Sequence, residues 1–330
     1  VIVALTIGAI VQWFSRLFLT YEFEKKAMWV SALFGGIALS AITYFILMKG
    51  IKGTPYASLK FDLIGGMKIK DFLETEVLKV SFINFLFWFG ISFLAIKVLK
   101  ANIYKIIIGT GTFGLALAFA GNDLVNFIGV PIAAYQSYEA WAASGAVASE
   151  FSMGVLSSKV PTPPILLILS GGIMVVTLWL STKAKKVMKT ELDLSDQNTI
   201  KERFQPNLLS KGIVKISQIL GNGFNKILPE TVVSSIDKQF SNTNIALKNQ
   251  NDKDAPSFDM LRASINLVVA SILISIATSY KLPLSTTYVT FMVAMGTSLA
   301  DRAWKRDSAV YRVAGAVSYT HLRAHETDSY

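Results

Sequence analysis

The sequence predicts an all-α, polytopic membrane protein with discontinuous helices. Three observations predict it. Hydrophobic residues make up 52% of the 330-residue chain and charged residues only 16%, where an average soluble domain carries about 25%. Mean hydropathy is +0.47. The apolar residues gather in runs near the ~20 residues needed to cross a bilayer, and two of those runs are interrupted by polar motifs that contain proline.

The first run, residues 1–20, reads as the end of a membrane helix closed by Arg16 and Tyr21, in a chain expected to begin part-way through a longer protein. Residues 27–48 form a complete span, with Trp29 at one interface and Lys49 and Lys52 at the other. Its Gly35-Gly36 pair suits close helix packing. Residues 53–76 are a connector with an amphipathic stretch around FDLIGGMKIKDFL, and 77–99 span again. A run from Ile103 is apolar to Ala120, breaks over 120–131, and is followed by small-residue-rich sequence and a span at 164–182. Residues 1–182 are thus a first membrane block. Residues 183–256 open with a lysine cluster and read as a hydrophilic loop or small extramembrane insert on the cytoplasmic side. A second membrane block, 257–317, carries the second broken helix at 281–288 and a charged exit, DRAWKRDS. Residues 318–330 hold both histidines and resemble translated adapter sequence, a non-native tail.

Composition also excludes. Without cysteine there is no disulfide, thiolate nucleophile or thiolate metal site. The net charge of +10 lies mostly beside apolar runs or in the insert. Positive-inside topology and lipid headgroups account for it, so nucleic acid is not an expected partner. No cofactor is expected.

The first interruption is AGNDLVNFIGVP. An Asp at the centre of a membrane helix costs about 2.5–3.5 kcal/mol on insertion scales, and such residues mark ion or substrate paths. Asp123 is flanked by Asn122 and Asn126. Gly121 and Gly129 loosen the helix, and Pro131 removes a backbone donor. An unwound turn there would offer backbone, amide and carboxylate oxygens, the ligands of hard cations. Na⁺ fits first and H⁺ second; no transition metal is expected. The bland alternative is that Asp123 bonds to neighbouring helices.

The second interruption is LPLSTTY. Pro283 breaks the span, and Ser285, Thr286 and Thr287 follow where a new half-helix would start. A helix N-terminus with three hydroxyls beside it suits an anion such as phosphate. The alternative is a proline kink whose backbone is satisfied by the hydroxyls. Broken helices that offer cation ligands in one place and anion donors in another are the pattern of cation-coupled transporters.

At these residues the chain resembles the inorganic phosphate transporter (PiT) family of sodium–phosphate symporters. That family carries Gly-Ala-Asn-Asp-x-x-Asn and Pro-x-Ser-Thr-Thr motifs in each of two inverted repeats. Here Ala120-Gly121 replaces Gly-Ala, and Tyr288 stands where a His often follows. The resemblance covers 103 to about 317, so one inverted repeat is largely present and the other is missing. It implies a fold of inverted repeats and alternating access across a bacterial inner membrane. It implies Na⁺ at Asn122, Asp123 and Asn126, and phosphate at Ser285, Thr286 and Thr287. Gln136 and Glu150 are secondary polar candidates. A homodimer is compatible with this reading. The rivals are a permease coupled to H⁺ or specific for another oxyanion such as sulfate, a membrane enzyme using a Ser285–Lys281 dyad, and a non-transporting scaffold. An enzyme is not expected.

Overall fold

Long runs of Leu, Ile, Val, Phe and Ala satisfy their backbone N–H and C=O groups most simply within helices. The computed structural model follows that rule. Helices dominate, and no β-strand occurs among the described residues; an isolated antiparallel bridge joins Lys60 and Lys68. The structure describes residues 2–20, 27–51, 55–60, 65–152, 163–183, 229–240, 259–280, 282 and 285–301, with a few isolated positions between 154 and 223. Most of the 183–256 insert, Lys281, Pro283 and the 318–330 tail lie outside the described residues.

The helices named among the described residues are α1 (Ile2–Leu19), α2 (Met28–Ile51), α3 (Ile69–Thr75), α4 (Val77–Leu99), α5 (Ile103–Ser144), α6 (Pro164–Leu180), α7 (Glu230–Gln239), α8 (Met260–Ser279) and α9 (Thr286–Ala300). Four are long and apolar enough to cross a membrane: α1, α4, Met28–Met48 of α2 and Met260–Ala277 of α8. By length and composition this is the make-up of a membrane protein. The amphipathic connector resolves into a short 3₁₀ turn, Pro55–Ser58, and α3.

The chain divides into two compact units, residues 1–115 with 190–330, and residues 116–189. In the first, α1, α2, the start of α5, α8 and α9 share an apolar core that includes Leu39, Ile42, Ile107, Ile265, Val293 and Met295. Small residues set the spacing. Gly36 of α2 lies against Phe85 and Phe89 of α4, and Gly35 against Ser92 and Ile103. Asn84 donates to the Ser40 carbonyl at 2.9 Å, and the Tyr44 hydroxyl to that of Leu73 at 3.1 Å. Gly35 against Ser92, Gly36 against Phe89 and Ser40 against Asn84 run in opposite order, so α2 and α4 are antiparallel, and Leu73 ties α3 to α2. Ile42 and Ile46 of α2 meet Gly111 and Gly114 of α5.

Helices α8 and α9 form an antiparallel hairpin. Arg262 meets Asp301 at one end, and Thr297 donates to Asn266 one turn further in. Helix α1 packs on α9 in the same direction, for Gly8 abuts the Val293 backbone and Arg16 reaches Asp301 at the same sequence offset.

The second unit holds the rest of α5 and α6. Helix α6 starts on Pro164, whose missing N–H costs nothing at a first helical position. None of its residues is buried; Ile165, Ile168, Ile173 and Leu180 are exposed.

Two expectations need correction. The break expected over 120–131 is absent: α5 is helical without interruption through Gly121, Gly129 and Pro131. Proline removes one donor and crowds one carbonyl, a local cost of about 3 kcal/mol that a helix of 42 residues can carry. The second break exists but is not a pause within one span. The chain leaves the helix after Ser279, restarts at Thr286, and reverses direction. Six positions separate the two helices, a length usual between antiparallel helices.

Candidate functional site

Asn122, Asp123 and Asn126 lie on α5, in the second unit. Their side chains lie outside what the structure describes, as do those of the other residues from 121 to 127 that carry one. Backbone spacing still bears on them. Positions 122 and 126, and 123 and 126, are one helical turn apart and share a face. Gly129 is half-buried and Pro131 exposed on the same helix. Gln136 is half-buried and Glu150 exposed.

Ser285, Thr286 and Thr287 belong to the first unit and sit at the tip of the α8–α9 hairpin. Ser285 is the N-cap of α9, extended in backbone, and its hydroxyl accepts from the Tyr288 N–H at 3.5 Å. That is the outer limit of a hydrogen bond, so the cap is loose. Ser285 and Thr287 are exposed, while Thr286 is buried at 7% exposure. Three hydroxyls therefore stand at a helix start whose first N–H groups have no acceptor within the helix. The two motifs belong to different units.

A second polar cluster was not foreseen. Arg16, expected to close a span, is fully buried in the last turn of α1. Asp301, expected as an exit charge, is fully buried too and caps the end of α9. Arg16 holds Asp301 with two parallel bonds, Nε to Oδ1 and Nη2 to Oδ2, both 2.6 Å. Its Nη2 also reaches Asp259 Oδ2 at 2.8 Å, and Nη1 donates to the Thr20 carbonyl at 3.0 Å. Arg262 lies 3.5 Å from Asp301 Oδ2. Asp259 also caps α8, its Oδ1 accepting from the Arg262 N–H at 2.9 Å. Two guanidinium groups and two carboxylates thus join the ends of three helices with their charges balanced.

That balance is what allows the burial. A fork-shaped guanidinium matches a carboxylate with two bonds. A carboxylate at a helix C-terminus is disfavoured by the macrodipole, and the two arginines offset that. The signal available beforehand was Arg262 set three residues into an apolar run. Its partners are remote in sequence, which hides the cluster.

One turn before Arg16 on α1, Gln12 is also fully buried. Neither its Nε2 nor its Oε1 has a hydrogen-bond partner. Thr297 of α9, one turn before Asp301, is fully buried as well. Among the described residues no group of three or more His, Cys, Asp or Glu could hold a metal ion. Compared with known proteins, the chain matches no family model, no curated protein and no solved structure.

Proposed function

We propose that this protein is a Na⁺-coupled inorganic phosphate symporter working by alternating access in a bacterial inner membrane. The observation that carries the reading is the hydroxyl-rich start of α9, in a chain that also places Asn122, Asp123 and Asn126 one turn apart on an apolar helix. The first suits an anion and the second a hard cation. The likeness of both motifs to those of the PiT family names phosphate and Na⁺. Because α5 is continuous, the cation ligands in this reading are side-chain oxygens rather than unwound carbonyls. Multi-pass topology, inverted repeats and a cytoplasmic 183–256 segment belong to the same proposal.

The test is radiolabelled phosphate uptake into proteoliposomes of the full-length protein, with and without a Na⁺ gradient, for wild type and Asp123→Asn. The expected result is Na⁺-driven uptake that the substitution abolishes. Equal uptake on a proton gradient alone would replace the coupling ion. No uptake under either gradient, from folded protein, would remove phosphate as the substrate, and uptake of another oxyanion such as sulfate would then be measured directly.

Ser285→Ala separates structure from transport. The cap is long and exposed, so the loss of stability is expected to be about 0.5 kcal/mol. Uptake at low phosphate is expected to fall about tenfold, the size of one hydrogen bond to a charged ligand. Unchanged uptake would take Ser285 out of the site.

A further inference from the structure

The α1–α9 interface has three successive levels. At the first, Gly8 and Gly296 bring backbone against backbone, with Gly8 against Val293 and Gly296 against Leu5. Next, one turn before the clasp on each helix, come Gln12 of α1 and Thr297 of α9, both fully buried, with Thr297 donating to Asn266 of α8 at 2.5 Å. At the third lies the cluster of Arg16, Asp259, Arg262 and Asp301. The middle level is polar, although α1, which supplies Gln12, is long and apolar enough to cross a membrane. It lies between a dry glycine contact and a charged clasp.

A buried amide with neither atom bonded is expensive, and such groups are normally satisfied by a partner that enters from outside. Nε2 needs an acceptor and Oε1 a donor, and water supplies both. The glycine level leaves no room for a side chain, so the route to Gln12 runs past the clasp. The clasp holds the N-terminus of α8, which directly follows the polar 183–256 segment. A balanced ion cluster is well suited to a gate, for each pairing is strong when made and each ion is readily hydrated when the helix ends separate.

We infer that Arg16 and Asp301 gate a hydrated polar chamber centred on Gln12, opening toward the side of the membrane that carries residues 183–256. The inference stands apart from the phosphate reading and does not need it.

These 330 residues hold no cysteine, and with any cysteine elsewhere in the full-length protein changed to Ser, a single introduced thiol reports its own surroundings. The experiment places Gln12→Cys in the full-length protein in vesicles. A membrane-impermeant cationic thiosulfonate is applied from the 183–256 side, with and without Arg16→Gln. Labelling is expected to be slow with the clasp intact and about tenfold faster without it. Ala38→Cys, buried in the apolar core on α2, is expected to stay unlabelled in both backgrounds. Asp301→Asn is a second way to weaken the clasp and is expected to accelerate labelling in the same direction. Equal rates at position 12 in all backgrounds would overturn the gate. So would labelling of position 38 in step with position 12, because the substitution would then have loosened the whole bundle. Phosphate uptake is not a readout of this test, so its failure and that of the transport reading are separate.

Discussion

Asp301→Ala is expected to lower stability by about 3–5 kcal/mol, the usual cost of removing one partner from a buried ion pair. The reason lies in what remains. Arg16 would keep Asp259 but lose two short bonds, and Arg262 would lose its carboxylate at 3.5 Å. Two buried guanidinium groups would then face one carboxylate. The measurement is the thermal unfolding midpoint in detergent. The double variant Arg16→Met/Asp301→Leu is expected to recover much of the loss, since an apolar pair of similar volume is often no worse than a buried ion pair. If the double variant instead lost the sum of the two single effects, the residues would not be energetically coupled.

Gly296→Ala is expected to be the next most damaging change, by about 1–3 kcal/mol toward the upper end of the overpacking range. A Cβ there would collide with the Leu5 carbonyl oxygen and lie 2.9 Å from the Leu5 carbonyl carbon and 3.0 Å from the Ala9 nitrogen. All three belong to the backbone of α1, which cannot rotate away as a side chain would. Alanine's better helix propensity returns only about 1 kcal/mol. Gly90→Ala is the control: no atom lies within 4 Å of a Cβ at that position on α4. There only propensity acts, and the substitution is expected to be neutral or mildly stabilising. If both variants unfolded at the same temperature, the α1–α9 contact would not be as close as described.

These sites also divide what is legible in sequence from what is not. The span expected at 77–99 coincides with α4, and that expected at 27–48 lies within a residue of the membrane-length part of α2. Apolar length is a local property, and so a run of residues declares it. The restart at Thr286 was legible for the same reason, because Pro, Ser and Thr act on their own few neighbours. Pro131 misled because a local cost was weighed without the long apolar helix around it, which outweighs it. The reversal between α8 and α9 was missed because a kink and a hairpin begin with the same residues. The charges were hardest. Near the end of an apolar run, an Arg that meets headgroups and an Arg that meets a buried carboxylate look alike. Only the partner distinguishes them, and Asp301 is 285 positions away from Arg16.

That separation has a consequence for how the protein is made. At about 5–20 residues per second, a ribosome finishes Asp301 roughly 15–60 s after Arg16. For that interval α1 carries a guanidinium whose best partner does not yet exist. Asp259 appears earlier by only a few seconds on the same scale. The first helix must therefore wait, with its arginine held at the headgroups or by the insertion machinery, until the hairpin that completes it arrives. Synthesis stalled before α8 would leave α1 unanchored and open to quality-control proteases, and the ion cluster would mark the moment at which α1, α8 and α9 have come together.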